Sequence, residues 1–284
     1  MELDADLKAL LAAMPAMPPL NDETLAQIRP YAAPPPLDHP GVERQEIDGP
    51  VPLTVLRPAG PAPALVFWIH GGGMVMGNRY SQLDIPLEWL TELGVTVASV
   101  EYRLAPEARG TELVEDCYRG LAWAVENLGI DPARVVVAGA SAGGGLAAGV
   151  TLLARDRGDL AIAGQVLIGA MLDQRNEARG DAVVWTREMN EFGWRSVLDG
   201  TYVSPALAED LSGLPPAYLD AGSAELFRDE NVAYASRIWA AGGRADLHVW
   251  TGGFHGFDAL FPAAPISVAA RRTRTEWLGR LLKD

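Results

Sequence analysis

The sequence is poor in the groups that several large protein classes depend on. A single cysteine, Cys117, stands in 284 residues, so no disulfide can form within the chain. It falls in a helical pattern and is expected to be a small buried apolar residue, not a nucleophile. There are only four histidines, His39, His70, His248 and His255. No pair of them has metal-ligand spacing, so no zinc site is expected; no cofactor is expected either. Basic residues are scarce: 23 Lys and Arg face 37 Asp and Glu, a formal net charge of −14. Nucleic acid needs a basic face, and no run of Lys and Arg supplies one. The short stretch Arg271-Arg272-Thr273-Arg274 lies in a predicted helix near the C-terminus and reads as a solvated helix face. The acidity favours solubility and disfavours anionic substrates and membranes. No apolar run reaches the ~20 residues that span a bilayer. The start, Met1-Glu2-Leu3-Asp4-Ala5-Asp6, is acidic and lacks the basic and apolar regions of a signal peptide. The cytoplasm is the expected compartment.

What is present is a chain with 49% hydrophobic residues, enough for one large core. Residues 3–14 and 22–29 read as two short amphipathic helices, broken by the stretch Pro15 to Pro19 and followed by Ala33-Pro34-Pro35-Pro36. The first 40 residues therefore read as an arm or cap. From 41 onward the pattern changes, and residues 41–284 read as one domain. Val42 to Ile47 and Val51 to Arg57 read as strands joined at Asp48-Gly49. Apolar runs follow at Ala64–Ile69, Val95–Val100, Val135–Ala138, Gln165–Gly169, Ala217–Asp220 and Leu247–Trp250. Helix-length segments separate them near 80–93, 111–128, 142–157 and 225–241. Such alternation predicts an α/β fold, a mostly parallel sheet of strands buried on both faces and covered by helices. The long interval between the strands at 165–169 and 217–220 breaks it. That interval holds Trp185, Met189, Phe192 and Trp194 in a helical pattern, and is read as a cap insertion at about 173–212.

Three glycine-rich segments carry chemistry. Gly139-Ala140-Ser141-Ala142-Gly143 follows a predicted strand and precedes an Ala/Leu-rich helix, the context of a nucleophile elbow. Small neighbours let the backbone turn sharply, and the helix N-terminus favours developing negative charge at Ser141. A phosphate-binding loop is set aside because Gly143-Gly144-Gly145 runs into Leu146, with no Lys-Ser/Thr pair. His70-Gly71-Gly72-Gly73 closes the strand 64–69 and can turn backbone N–H groups toward one point. His70 itself is expected to hold the shape of that loop. Gly253-Phe254-His255-Gly256-Phe257 follows the last strand, where open α/β sheets place their ligands. His39 lies in the Pro-rich linker and His248 inside a strand, as an expected core residue, which leaves His255 as the base. The acid should lie between Ser141 and His255 in the chain. Glu225, just past the strand 217–220, is favoured; Asp229 and then Asp220 are the alternatives.

These segments, together with Tyr102-Arg103-Leu104-Ala105-Pro106-Glu107, resemble the bacterial hormone-sensitive-lipase-like esterases of the α/β-hydrolase fold. The resemblance runs from about residue 40 to the C-terminus. It implies an eight-stranded sheet with a small helical cap, Ser141 as nucleophile, His255 as base, and an oxyanion hole formed by the N–H groups of Gly72, Gly73 and Ala142. Two departures stand out. Ala140 occupies a position that is often acidic in the family. Glu225-Leu226-Phe227 replaces Asp-Pro-Leu, and alignment on Arg228-Asp229-Glu230 puts Glu225 at the acid's position. The expected function is a serine carboxylesterase for short to medium acyl esters, with a small-molecule ester as its partner. The resemblance is compatible with a homodimer. A catalytically silent binding protein of the same fold, or a hydrolase of a thioester, lactone or amide, is the alternative.

Overall fold

Eight strands form, and in the inner ones the apolar side chains alternate between two buried faces. In the computed structural model, which describes residues 2–15, 18–31, 33–35, 39–175 and 182–283, the strands are β1 (Val42–Ile47), β2 (Leu53–Pro58), β3 (Leu65–Ile69), β4 (Thr96–Val100), β5 (Val135–Ala140), β6 (Gly164–Ile168), β7 (Ala217–Gly222) and β8 (Ala245–Trp250). They make one sheet in the order β1-β2-β4-β3-β5-β6-β7-β8. β1 and β2 run antiparallel to their neighbours, and the pairs from β4 through β8 are parallel. This is the expected mostly parallel, helix-flanked sheet.

Period two decides which residues meet which helices. Leu65, Phe67 and Ile69 face a large core that also holds residues of α4 (Glu112–Asn127), α5 (Ala142–Arg157) and α7 (Arg228–Ala240). Val66 and Trp68 face the opposite core, with Trp89 and Leu90 of α3 (Asp84–Leu93) and Trp277 and Leu278 of α9 (Pro265–Leu281). Cys117 of α4 is fully buried, as expected of a small apolar residue. A third, smaller cluster joins Leu7 of α1 (Ala5–Ala12) to Phe254 and to Phe257 of α8 (Phe257–Leu260). The N-terminal stretch is also tied down by polar contacts. Asp4 N–H donates to Gly252 O at 3.1 Å. Arg29, just after α2 (Leu25–Ile28), donates to Val75 O at 2.8 Å and Ala105 O at 2.6 Å and pairs with Glu107. α6 (Arg187–Val197) lies in the predicted insertion. The parts of the predicted arm and insertion at 1, 16–17, 32, 36–38 and 176–181 lie outside the described residues.

Two expectations are corrected. His248 is not a core residue. β8 is the sheet edge and only partly buried, and the imidazole stacks between Tyr218 and Trp250. The basic stretch of α9 is not a solvated face either. Arg272 is exposed, but Arg271 and Arg274 point inward. Arg274 has 1% side-chain exposure and bridges two carboxylates that are almost equally buried, Asp220 at the end of β7 (2.7 Å) and Asp258 in α8. Arg271 pairs with Asp84 and Glu88 of α3 and donates to the Asp258 carbonyl. Positions three apart on a helix share a face. Here that face meets carboxylates from three other segments.

A buried charge is tolerable only while it is paired. Arg274→Met should lower the unfolding free energy by about 3–5 kcal/mol, because Asp220 and Asp258 remain buried without a cation. Adding Asp220→Asn and Asp258→Asn should restore much of that loss. Urea denaturation measures both, and a loss under about 1 kcal/mol for the single variant would contradict the pairing as a structural need.

Candidate active site

The carboxyl ends of the parallel strands bring the glycine-rich segments to one edge of the sheet, as in other open α/β sheets. Between β5 and α5 the chain reverses at Ser141, whose φ of +58° is rare for a residue with a side chain. Its neighbours must be small. A Cβ on Gly139 would overlap the Gly143 carbonyl, and one on Gly143 would overlap the carbonyl of Ile69 in β3. The turn is pinned by Ser141 N–H to Ile168 O at 2.8 Å and by Met171 N–H to Ser141 O at 2.9 Å. Ser141 is thereby presented ahead of the first turn of α5, and it is 6% exposed.

A second close approach joins the turns after β7 and β8. A Cβ on Gly222 would overlap the Gly253 carbonyl, and Ala224 N–H donates to that same carbonyl at 2.9 Å. The contact sets Glu225 beside His255. Glu225 Oε2 lies 2.5 Å from His255 Nδ1, and His255 Nε2 lies 2.9 Å from Ser141 Oγ. Glu225 Oε1 also accepts the Gly222 N–H at 3.0 Å, which fixes the carboxylate. The carboxylate on Nδ1 selects the tautomer in which Nε2 is free to accept the Ser141 proton. Phe227 packs edge-on against the imidazole at 4.9 Å. The two alternative acids are engaged elsewhere: Asp229 pairs with Arg228 on the surface, and Asp220 with Arg274. α7 begins at Arg228, so Glu225 sits in the turn before it.

The loop after β3 supplies donors. A trans peptide is planar, so each N–H points opposite to the preceding carbonyl. Gly71 O is held by His70 Nδ1 at 2.8 Å, which directs the Gly72 N–H the other way. Gly72 O accepts from both Val75 and Met76 N–H at 3.1 Å, which directs the Gly73 N–H likewise. Gly72 and Gly73 have φ of +114° and +60°, and a Cβ on Gly73 would overlap the indole of Trp185. The ring of Trp185 also lies 6.4 Å from that of His255. Ala142 contributes an N–H from the first turn of α5. His70 is fully buried, stacked on Tyr102 at 4.3 Å, and its carbonyl accepts from the Tyr102 hydroxyl. Burial pushes its pKa down to about 4, so the ring is neutral and donates from Nδ1.

Among the described residues no group of His, Cys, Asp and Glu could hold a metal ion. A buried serine bonded to an imidazole that a carboxylate holds, with backbone N–H groups in the neighbouring turns, is an arrangement suited to acyl transfer.

The alpha/beta hydrolase fold family model matches residues 66–259. This chain belongs to that family. It is 34% identical to the carboxylic ester hydrolase LipN of Mycobacterium tuberculosis, over 81% of this chain and 68% of that one. It is 31% identical to an arylesterase of Saccharolobus solfataricus, over 78% and 74%. Among solved structures, a bacterial heroin esterase superposes with a TM-score of 0.89 at 34% identity, covering 100% of this chain and 99% of that one. A hyperthermophilic esterase from the archaeon Pyrobaculum calidifontis gives 0.84 at 28% identity, over 99% of both.

Sequence reasoning missed the ion network beneath the site. Asp220, Asp258 and Arg274 line a cavity of about 30 Å³ together with Ser141 and His255. The one available signal was the i, i+3 spacing of Arg271 and Arg274 on a helix whose same face carries Trp277 and Leu278.

The neutral His70 makes a pH prediction. Its folded pKa lies below the value of 6.5 for a free side chain. As pH falls through 6.5 the unfolded chain takes up a proton that the folded one refuses until about 4. The stability due to His70 is therefore full above pH 6.5, is lost between 6.5 and 4, and changes no further below. The loss should be on the order of 3 kcal/mol. In His70→Phe, which keeps the stacked ring, this component of the slope should vanish. Urea unfolding across that range tests it, and equal slopes in both proteins would contradict it.

Proposed function

We propose that this protein is a serine carboxylesterase that hydrolyses short- to medium-chain acyl esters through an acyl-enzyme. The observation that carries the reading is the hydrogen-bonded line from Glu225 through His255 to Ser141, at 2.5 and 2.9 Å, beside the paired glycine amides of the loop after β3. The relatives named esterases support the substrate class.

In this mechanism Ser141 Oγ attacks the ester carbonyl carbon while His255 Nε2 takes its proton. The carbonyl oxygen becomes an oxyanion, met by the N–H groups of Gly72, Gly73 and Ala142. These donors are fixed before the substrate arrives, so no reorganisation is needed as charge develops. The imidazolium faces Glu225, then gives its proton to the leaving alcohol. Water, deprotonated by His255, attacks the acyl-serine, and Ser141 recovers its proton as the acid departs. Ala140 takes no part in either proton transfer, so the departure from the family pattern leaves the chemistry intact.

A cavity of about 570 Å³ lies between the N-terminal stretch and the segment before α6, lined by Leu11, Met14, Leu20, Val184 and Met189 among others. Trp185, whose chain neighbours line it, turns its own ring toward Gly73 and His255. The lining of this cavity is mainly apolar, which favours neutral, modest-sized acyl or alcohol groups, consistent with the net charge of −14.

Nitrophenyl esters from acetate to dodecanoate, assayed with wild type, Ser141→Ala and Glu225→Gln, test this. Activity should peak at short or medium chains and vanish in Ser141→Ala. Glu225→Gln should lose about 10³–10⁴ in kcat, because the wrong tautomer is stabilised. Equal rates in wild type and Ser141→Ala, or none in either, would overturn the reading in favour of a silent binding protein or a different acyl substrate.

A further inference from the structure

We infer that Gln82 is a positioning residue of the oxyanion pocket, acting through the Gly71 amide; the inference rests on the acyl-transfer reading above. β3 ends at Ile69, and its last pairing with β5 is Ile69 with Gly139. The Gly71 N–H lies beyond that ladder and has no strand partner. It donates instead to Gln82 Oε1 at 2.9 Å.

Gln82 is held where its backbone is strained. Among the described residues it is one of four non-glycine residues with positive φ, at +59°, and Ser141 is another. Strain of this kind persists only when the surroundings over-determine it. They do so here. The Gln82 carbonyl accepts Ile85 N–H at the start of α3. The preceding turn is closed by Ser81 N–H to Asn78 O at 2.9 Å and by Asn78 N–H to Ser81 Oγ at 3.1 Å. Trp68 of β3 donates its indole N–H to the Ser81 carbonyl at 3.2 Å. The turn bearing Gln82 is therefore anchored to the same strand whose end it clamps.

The contacts are close to the nucleophile. A Cβ on Gly71 would lie 3.1 Å from Ser141 Cβ, 3.2 Å from Gln82 Nε2 and 2.9 Å from the Ala140 carbonyl. Gln82 also lines the small cavity shared with Ser141 and His255. With the Gly71 carbonyl held by His70 and its N–H by Gln82, both peptide planes flanking Gly71 are fixed. The second of those planes carries the Gly72 N–H. Loss of the Gln82 contact leaves the first plane held only by the Tyr102 hydroxyl on the His70 carbonyl, and so loosens the aim of the first oxyanion donor. Gln82 touches no reacting atom, so its effect should fall on the transition state and spare substrate binding.

The test compares Gln82→Met, which keeps length but loses the acceptor, with Gln82→Gly. Glycine accepts a φ of +59° without strain, which offsets the loss of the hydrogen bond, so Gln82→Gly should fold with a thermal midpoint near that of wild type. Both variants should lose about 10- to 100-fold in kcat with KM within about twofold of wild type. Their affinity for an aryl boronic acid, which forms a tetrahedral adduct on serine, should fall by the same factor as kcat. Wild-type kcat and boronate affinity in Gln82→Gly, or a change confined to KM, would overturn the inference while leaving the esterase reading intact. A wild type that neither turns over esters nor takes a phosphonate on Ser141 would overturn both.

Discussion

The chain passes so close to itself beside Ser141 that only glycine fits at positions 139 and 143, and the site is organised by that approach. Gly143 rests against the end of β3, and Gly139 against Gly143. Two adjacent strands and one helix therefore meet at the serine, whose backbone is held left-handed by ladder-like bonds to Ile168 and Met171. The same economy recurs after β7, where Gly222 touches the Gly253 carbonyl and brings Glu225 and His255 within reach of each other. In both places a missing side chain converts strand adjacency into side-chain convergence. The sheet supplies adjacency at low cost, because parallel strands buried on both faces cannot slip without exposing a row of Leu, Val, Phe and Trp.

Electrostatics divides into two layers. The upper layer is Glu225, His255 and the backbone donors beside Ser141. The lower is Asp220, Arg274 and Asp258, which tie the end of β7 to α8 and α9. Asp258 follows His255 by three residues, so Arg274 grips both the strand that leads to Glu225 and the helix that follows His255. Desolvation makes such a group costly, and pairing makes it rigid. Burial acts differently on His70: it keeps the imidazole neutral and leaves Nδ1–H to lock Gly71.

Much of this was legible before any coordinates. Each apolar run is a strand, because runs of four to six bounded by Gly, Pro and Asp have few other stable uses. Ser141, Glu225 and His255 could be picked out because each follows a strand end and chain order limits the choices. Helix α7 starts three residues later than its periodicity suggested, since Glu225 is drawn into the turn by Gly222 and His255. What could not be read depends on partners distant in sequence. Arg271 and Arg274 look like any solvated basic patch until Asp84, Asp220 and Asp258 are seen opposite them. Gln82 carries no motif, and its importance rests on a positive φ and on one amide left beyond the end of a ladder. His248 reads as core because the edge position of β8 is a property of the sheet, not of its residues.

The central claim is that the acyl group passes through Ser141. Acid quenching of a slowly deacylating ester during turnover, followed by intact-mass analysis and peptide mapping, tests it most directly. The account predicts one acyl group per chain, carried on the peptide containing Ser141, and its disappearance in His255→Ala. An acyl group on any other residue, or steady turnover with no covalent species under conditions that slow deacylation, would contradict it.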